Sequence, residues 1–188
     1  TPPEFKNLEL SQYIFDVTNE DKTFELSADL TDDISGFISD SSGFSDINLS
    51  WSSPSGDQYL HAYMYEGMDR DIRHNDVLID VDKNNISFDN VQVTIPQYSE
   101  EGTWTLGSIN ATDSVGNYLS IHSVFDDNGN PIKGAYENRD GELINLDFKT
   151  EFEVISSNPD TTAPEFKNLE LSQYIFDVTD GDKTFELT

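Results

Sequence analysis

Aspartate and asparagine gather at three places along this chain, in the oxygen-rich arrangement that hard cations require. Asp29, Asp32 and Asp33 fall within one short stretch, Asp113 precedes Asn117 across a Val-Gly turn signal, and Asp126, Asn128 and Asn130 recur at every second residue. Calcium takes about six to eight oxygen ligands, chiefly carboxylates, backbone carbonyls and Asn side chains, and a turn lets these converge on one ion. The third set has the first, third and fifth positions of a helix-flanked calcium loop, with Glu137 at its twelfth. Pro131 stands at the sixth position, where such a loop needs Gly, and no helical pattern flanks it, so this set is a mimic at most. Asp80-Val-Asp-Lys-Asn84 is a poorer fourth set. Asp and Asn also favour turns and bond their own backbone, which leaves a metal-free alternative for every set.

A second chemistry is written in Tyr59-Leu-His-Ala-Tyr-Met-Tyr65. Strand alternation puts Tyr59, His61, Tyr63 and Tyr65 on one face, with Leu60, Ala62 and Met64 on the other, core-facing side. A row of exposed rings suits stacking on sugars, whose ring faces are apolar and whose hydroxyls can hydrogen-bond. The alternative is that tyrosines favour strands and shield cross-strand neighbours. No catalytic machinery accompanies these residues. There is no Cys, no Gly-x-Ser-x-Gly elbow and no phosphate-cradling Gly-rich loop, and His61, His74 and His122 lack ligand spacing. The expectation is a protein that is not an enzyme.

Composition narrows the partners. With 37 acidic and 10 basic residues the formal net charge is −27. Nucleic acid is excluded as a partner, because binding it needs a basic footprint. Such charge keeps a chain soluble but opposes its compact state, and divalent cations would relieve the repulsion. Disorder is the other outcome of high charge, but an aromatic content of 12% and ordered β-branched alternation argue for a core. No apolar run approaches the ~18–20 residues of a membrane span, so membrane insertion is not expected. The three Asn-x-Ser/Thr sequons, at Asn48, Asn85 and Asn110, are read as incidental.

The elements that must position these residues are strands. Phe24, Leu26, Ala28 and Leu30 alternate with polar residues, as do Ile47, Leu49 and Trp51, then Val77, Ile79 and Val81, then Val91, Val93 and Ile95, and finally Phe148, Phe152 and Val154. Turn signals separate them, among them Pro54-Ser-Gly56, Val115-Gly-Asn117 and Asp140-Gly141. Short strands punctuated in this way predict an all-β sandwich or barrel.

The strongest feature is a repeat. Residues 1–27 recur as residues 162–188 at a constant offset of 161, with only Pro2/Ala163, Asn19/Asp180, Glu20/Gly181 and Ser27/Thr188 differing. A fixed period of this fidelity marks a structural unit. The division is therefore one complete unit, residues 1–161, and the opening strands of the next, residues 162–188, within what reads as a longer protein. With these boundaries the chain resembles bacterial immunoglobulin-like and cadherin-like repeats of large secreted and surface proteins, including adhesins. The residues that carry the resemblance are Asp160-Thr-Thr-Ala-Pro164 at the boundary, Phe15-Asp-Val-Thr18, Ala28-Asp-Leu-Thr-Asp-Asp-Ile-Ser-Gly36, Ser53-Pro-Ser-Gly56, Glu101-Gly-Thr-Trp104 and Asn110-Ala-Thr-Asp-Ser-Val-Gly-Asn117.

The resemblance implies an immunoglobulin-like β-sandwich with long inserted loops, in tandem array, with Asp113 and Asn117 near one pole. A minimal sandwich has ~100 residues, so the surplus is expected in residues 57–90 and 122–147. It also implies a structural extender at the cell surface or in a secreted fibre, supporting adhesion, with Ca2+ bound at unit junctions where Asp160 adds a further ligand. The partners expected are neighbouring repeats, other copies in a fibre and surface glycans. Two alternatives stand beside this reading: a filament subunit that completes its neighbour by strand addition through residues 162–188, and a glycan-binding module using the tyrosine face.

Overall fold

The computed structural model describes residues 1–36, 47–64, 80–82, 84–127, 131–165 and 184. Every regular element among them is a strand, so no described helix is long and apolar enough to cross a membrane. In chain order the strands are β1 (Glu4–Leu10), β2 (Ile14–Asp16), β3 (Lys22–Thr31), β4 (Ile47–Ser52), β5 (Tyr59–Met64), β6 (Asp80–Asp82), β7 (Asn85–Ile95), β8 (Gly102–Thr112), β9 (Tyr118–Phe125), β10 (Pro131–Asn138), β11 (Leu143–Ile144) and β12 (Glu151–Ile155). They form two sheets. One has the order β1-β3-β7-β6; in the other, β8 is flanked on one edge by β4, which pairs onward with β5, and on the other edge by β9 and β12. The chain is all-β, and the two sheets share one core without closing into a barrel.

Alternation builds that core. Phe24, Leu26, Ala28 and Leu30 of β3, Ile47, Leu49 and Trp51 of β4, and Val91, Val93 and Ile95 of β7 are all buried, as the period-2 pattern predicts. Of the remaining sets, Phe152 and Val154 are buried on β12, but Phe148 lies before that strand, partly buried, its ring centroid 5.9 Å from that of Phe5 in an edge-on contact. Val77 and Ile79 lie outside the described residues. At the centre, the Phe152 ring meets Phe15, Phe24, Trp51 and Trp104 at centroid distances of 5.4, 5.6, 6.2 and 6.1 Å. These five rings come from β2, β3, β4, β8 and β12, so one cluster joins both sheets.

Two separate strand pieces share one edge of β8. β9 pairs with β8 from Tyr118 to His122, and β12 pairs with β8 from Glu151 to Val154, along the edge opposite β4. The two pieces therefore lie end to end, and residues 123–150 are extruded between them as the rest of β9 with β10 and β11. Leu106 sits at the gap. Its carbonyl accepts the Ser123 hydroxyl at 2.8 Å, and its N–H donates to the Thr150 carbonyl at 2.8 Å, so neither backbone group is orphaned.

The strand directions give the unit two poles. Thr1, residues 32–36 and the β8–β9 turn occupy the leading pole; residues 96–101, the β4–β5 turn and Asp160 occupy the trailing pole. Truncating Phe152 to Ala removes the ring at the centre of the cluster and should cost about 3–5 kcal/mol. Leu143→Ala, at a residue 77% exposed, should cost less than about 0.5 kcal/mol. Urea unfolding of both variants checks this, and equal losses would mean that the five rings are not the centre of stability.

Candidate functional site

The leading pole is where the acidic residues become unusual. As β3 ends, alternation carries Leu30 and Asp32 inward and Asp29 outward. Asp32 is only 6% exposed and folds the following turn around itself. Its Oδ1 accepts the N–H of Ile34 at 3.1 Å and of Gly36 at 2.6 Å, with Gly36 in the left-handed region at φ 68°. Asp113, 3% exposed, does the same for the β8–β9 turn. Its Oδ1 accepts Val115 N–H at 3.0 Å and Asn117 N–H at 2.7 Å, while its Oδ2 accepts the Asn117 side-chain amide at 2.6 Å.

Ser35 joins the two turns. Its hydroxyl lies 3.1 Å from Asp32 Oδ1 and 2.8 Å from Asp113 Oδ2. One hydroxyl proton thus faces two carboxylates. Ser114 adds two more links, donating its N–H to Gly36 O at 2.9 Å and its hydroxyl to Ser35 O at 2.8 Å. Asp32 Oδ2 is left buried with no hydrogen-bond partner. An unpartnered buried carboxylate oxygen is costly, and it is the kind of atom a cation satisfies. Burial raises the Asp32 carboxyl pKa and Asp113 adds repulsion, but the Gly36, Ile34 and Ser35 donors outweigh both and hold it below the usual range. At Asp113 burial also raises the pKa, and the donors of Asn117, Ser35 and Val115 again prevail and lower it.

The other candidate ligands are dispersed. Asp29, on the outer face of its sheet, accepts the Asn7 amide and the Ser87 hydroxyl, each at 2.7 Å, which lowers its pKa. It therefore does not share a site with Asp32. Asp33 is exposed at the leading pole and accepts the Thr1 hydroxyl at 3.3 Å. Asp126 is exposed at the end of β9, and Asn128 and Asn130 lie outside the described residues. Glu137 is a strand residue of β10 whose Oε1 is 3.1 Å from His122 Nε2, so the segment after Asp126 enters a β-hairpin and not a helix. Asp160 sits at the trailing pole and caps Thr162 N–H through Oδ1 at 3.0 Å. Among the described residues no three Asp, Glu or His side chains gather closely enough to hold a metal by themselves. Ser35 and Ser114, which link the two turns, escaped the sequence reading, because a serine in a turn carries no distance information.

The aromatic row is present on β5. Leu60 and Ala62 are buried, Tyr59 and His61 are exposed and Tyr63 is half-buried. The rings of Tyr59, His61 and Tyr63 run nearly parallel, at 6.5 Å and 25° for the first pair and 5.5 Å and 21° for the second. Tyr65 and the side chain of Met64 lie outside the described residues. Compared with models of known families, with characterised proteins and with solved structures, the chain matches none.

Carboxyls with lowered pKa values stabilise the fold above the unfolded value of ~3.9, and that stability is lost as pH falls through the folded values. In chelator, Asp113→Asn should cost about 1–3 kcal/mol at neutral pH, since an amide nitrogen cannot accept the Ser35 and Asn117 donors that Oδ2 takes. Asp32→Asn, whose three donors all go to Oδ1, should cost less, through loss of the charge alone. Each should also flatten the fall of stability below pH ~4. Urea titrations from pH 2 to 7 measure both effects; an unchanged acid limb would show that the two carboxyls do not carry it.

Proposed function

We propose that this chain is a structural extender, an immunoglobulin-like repeat of a secreted or cell-surface protein, arrayed in tandem and stiffened by Ca2+ at its leading pole. The observation that carries the reading is that the unit begins and ends at opposite poles, with Thr1 beside Asp33 and Asp160 beside Tyr98. Units with ends so placed string together head to tail. The repeat supports this further. Pro3, Phe5, Leu8, Leu10, Phe15, Val17, Phe24 and Leu26 are buried in the first copy, and all eight recur unchanged at the 161-residue offset. The differences fall at exposed Pro2, Asn19 and Glu20 and half-buried Ser27. Residues 162–188 thus hold the chemistry needed to start a second core.

Strand order supports the immunoglobulin-like reading. β1-β3-β7-β6 corresponds to the first, second, fifth and fourth strands of that fold, and β5-β4-β8-β12 to its opposing sheet. Residues 123–150 would then be an insertion within the last strand. Ca2+ fits the leading pole because of the buried Asp32 Oδ2, which no hydrogen bond uses. Asp32 and Asp113 would hold it, with the remaining oxygens drawn from hydroxyl, amide, carbonyl and water. The ion would supply charge neutralisation where two carboxylates face one proton.

A ligand that binds only the folded state stabilises it in proportion to the logarithm of its concentration. With a dissociation constant of ~10⁻⁴–10⁻³ M, typical of extracellular modules, 10 mM Ca2+ should add about 1.4–2.7 kcal/mol over excess chelator. Thermal unfolding in the two buffers reads this as a rise of several degrees, absent in Asp32→Asn. If the parent chain unfolds at one temperature in both, the calcium component is wrong.

The parallel rings of β5 favour a second reading, a glycan-binding face. Tyr59→Ala and Tyr63→Ala should then each lower binding on a glycan array at least tenfold while the circular dichroism spectrum is retained. A parent chain that binds no glycan on the array removes this reading.

A further inference from the structure

Two exposed apolar side chains stand at the tip of the leading pole. Ile34 is 75% exposed and Val115 is 71% exposed. They belong to different turns, but the turns are locked together by Ser35 on Asp113 and by Ser114 on both Ser35 and Gly36. The pair is therefore a fixed apolar projection. Scattered exposed apolar residues are ordinary, whereas two on turns tied to each other by a shared polar network form a surface feature.

The trailing pole carries the opposite shape. A groove of about 410 Å³ opens between Gln58, Tyr59, Pro96, Tyr98 and Asp160. Tyr59 is 61% and Tyr98 47% exposed, so the groove presents aromatic surface to solvent. Tyr98 holds a left-handed backbone at φ 70°, a conformation that side-chain-bearing residues adopt infrequently and that Tyr has no intrinsic reason to prefer. The chain leaves the unit from this groove. Asp160 donates its N–H to Tyr98 O at 2.8 Å and accepts the Gln58 amide through its carbonyl at 2.6 Å.

Covalent geometry selects the occupant. Thr162 is the repeat counterpart of Thr1, and Thr1 bonds Asp33, the residue before Ile34. Two residues of chain span at most ~7 Å, so Thr162 stays that close to the anchored Asp160. A following unit that folds like the first is thereby tethered with its Ile34 counterpart near the groove. We infer that Ile34 and Val115 of one unit seat in the Tyr59–Tyr98 groove of the unit before it, forming a direct apolar joint between successive copies.

This inference rests on the tandem reading above, and its test separates the two. The 188-residue chain is extended by residues 28–161, which completes its second copy, and studied in millimolar Ca2+. Residual dipolar couplings report the alignment of each unit, and small-angle scattering reports the length. One shared alignment tensor and an end-to-end particle are expected. Ile34→Asp with Val115→Asp in the second unit, or Tyr98→Asn in the first, should give two independent tensors at unchanged length. These variants keep the fold, since both apolar residues are exposed and Asn tolerates the left-handed backbone; the melting temperature of the 188-residue chain carrying each should match the parent. Independent tensors in the unsubstituted two-unit chain, or coupling that survives the substitutions, would overturn the joint and leave the extender reading standing. A particle only one unit long would sink the extender reading itself.

Discussion

The structure depends on the Phe152 ring more than on any other side chain. It lies on β12, the last of the described strands, and touches rings from β2, β3, β4 and β8, so this core closes only when β12 arrives. Trp104 and Phe152 are paired neighbours on adjacent strands and stack within 13°. Phe24 crosses the gap between sheets and meets Trp51 edge-on at 87°. Such offset and edge contacts add ~0.5–1.5 kcal/mol each beyond area burial. They also fix where the strands end. The turns after β3 and β8 emerge at one pole, and the turns after β4 and β7 at the other. The acidic site and the aromatic groove are therefore placed by the strands of this core, and Trp104 of the ring cluster lines the groove itself.

The interrupted edge of β8 shows how such a core accommodates a long excursion between two strand pieces. A break in a ladder ordinarily strands backbone donors and acceptors, at a cost comparable to lost hydrogen bonds. Here a serine hydroxyl and a threonine carbonyl complete Leu106 from the two sides of the gap. The extruded hairpin can then vary in sequence with little effect on the sandwich. Tyr136 is its main attachment to the core, with 2% of its surface exposed.

Much of this was legible in the sequence, and the failures have physical reasons. Strands β3 and β4 announced themselves because they keep strict period 2, and β7 did so through Val91, Val93 and Ile95, beyond the break at Asp89 and Asn90. β1 did not, because a bulge between Lys6 and Glu9, with Asn7 at φ 56°, shifts the buried set to Phe5, Leu8 and Leu10. Asp29, Asp32 and Asp33 read as one cluster because they are close in sequence. Alternation already implied that Asp29 points away from Asp32, and the strand obeys it. Asp32 and Asp113 read as separate sites, yet they share Ser35 across 78 residues. Proximity of that kind is made by the fold, through the return of β8 beside β4, and no local pattern encodes it.

The charge of the chain sets two problems of different range. At the leading pole Asp32, Asp33 and Asp113 crowd together, and Asp57, Glu100, Glu101 and Asp160 lie at or beside the trailing pole. Poles that meet in an array would therefore meet with like sign. Most of this repulsion is between exposed carboxylates, and simple salt screens it over a Debye length of ~8–10 Å. Asp32 Oδ2 is different. It is out of reach of the ionic atmosphere and lacks a donor, so screening cannot satisfy it, while a coordinated ion can. An apolar contact between poles makes the exposed part harder, because it brings the carboxylates nearer while excluding water. In the proposed array the joint and the buried oxygen would thus be linked: the closer two poles packed, the more the array would gain from a divalent ion at Asp32 over monovalent salt at equal ionic strength.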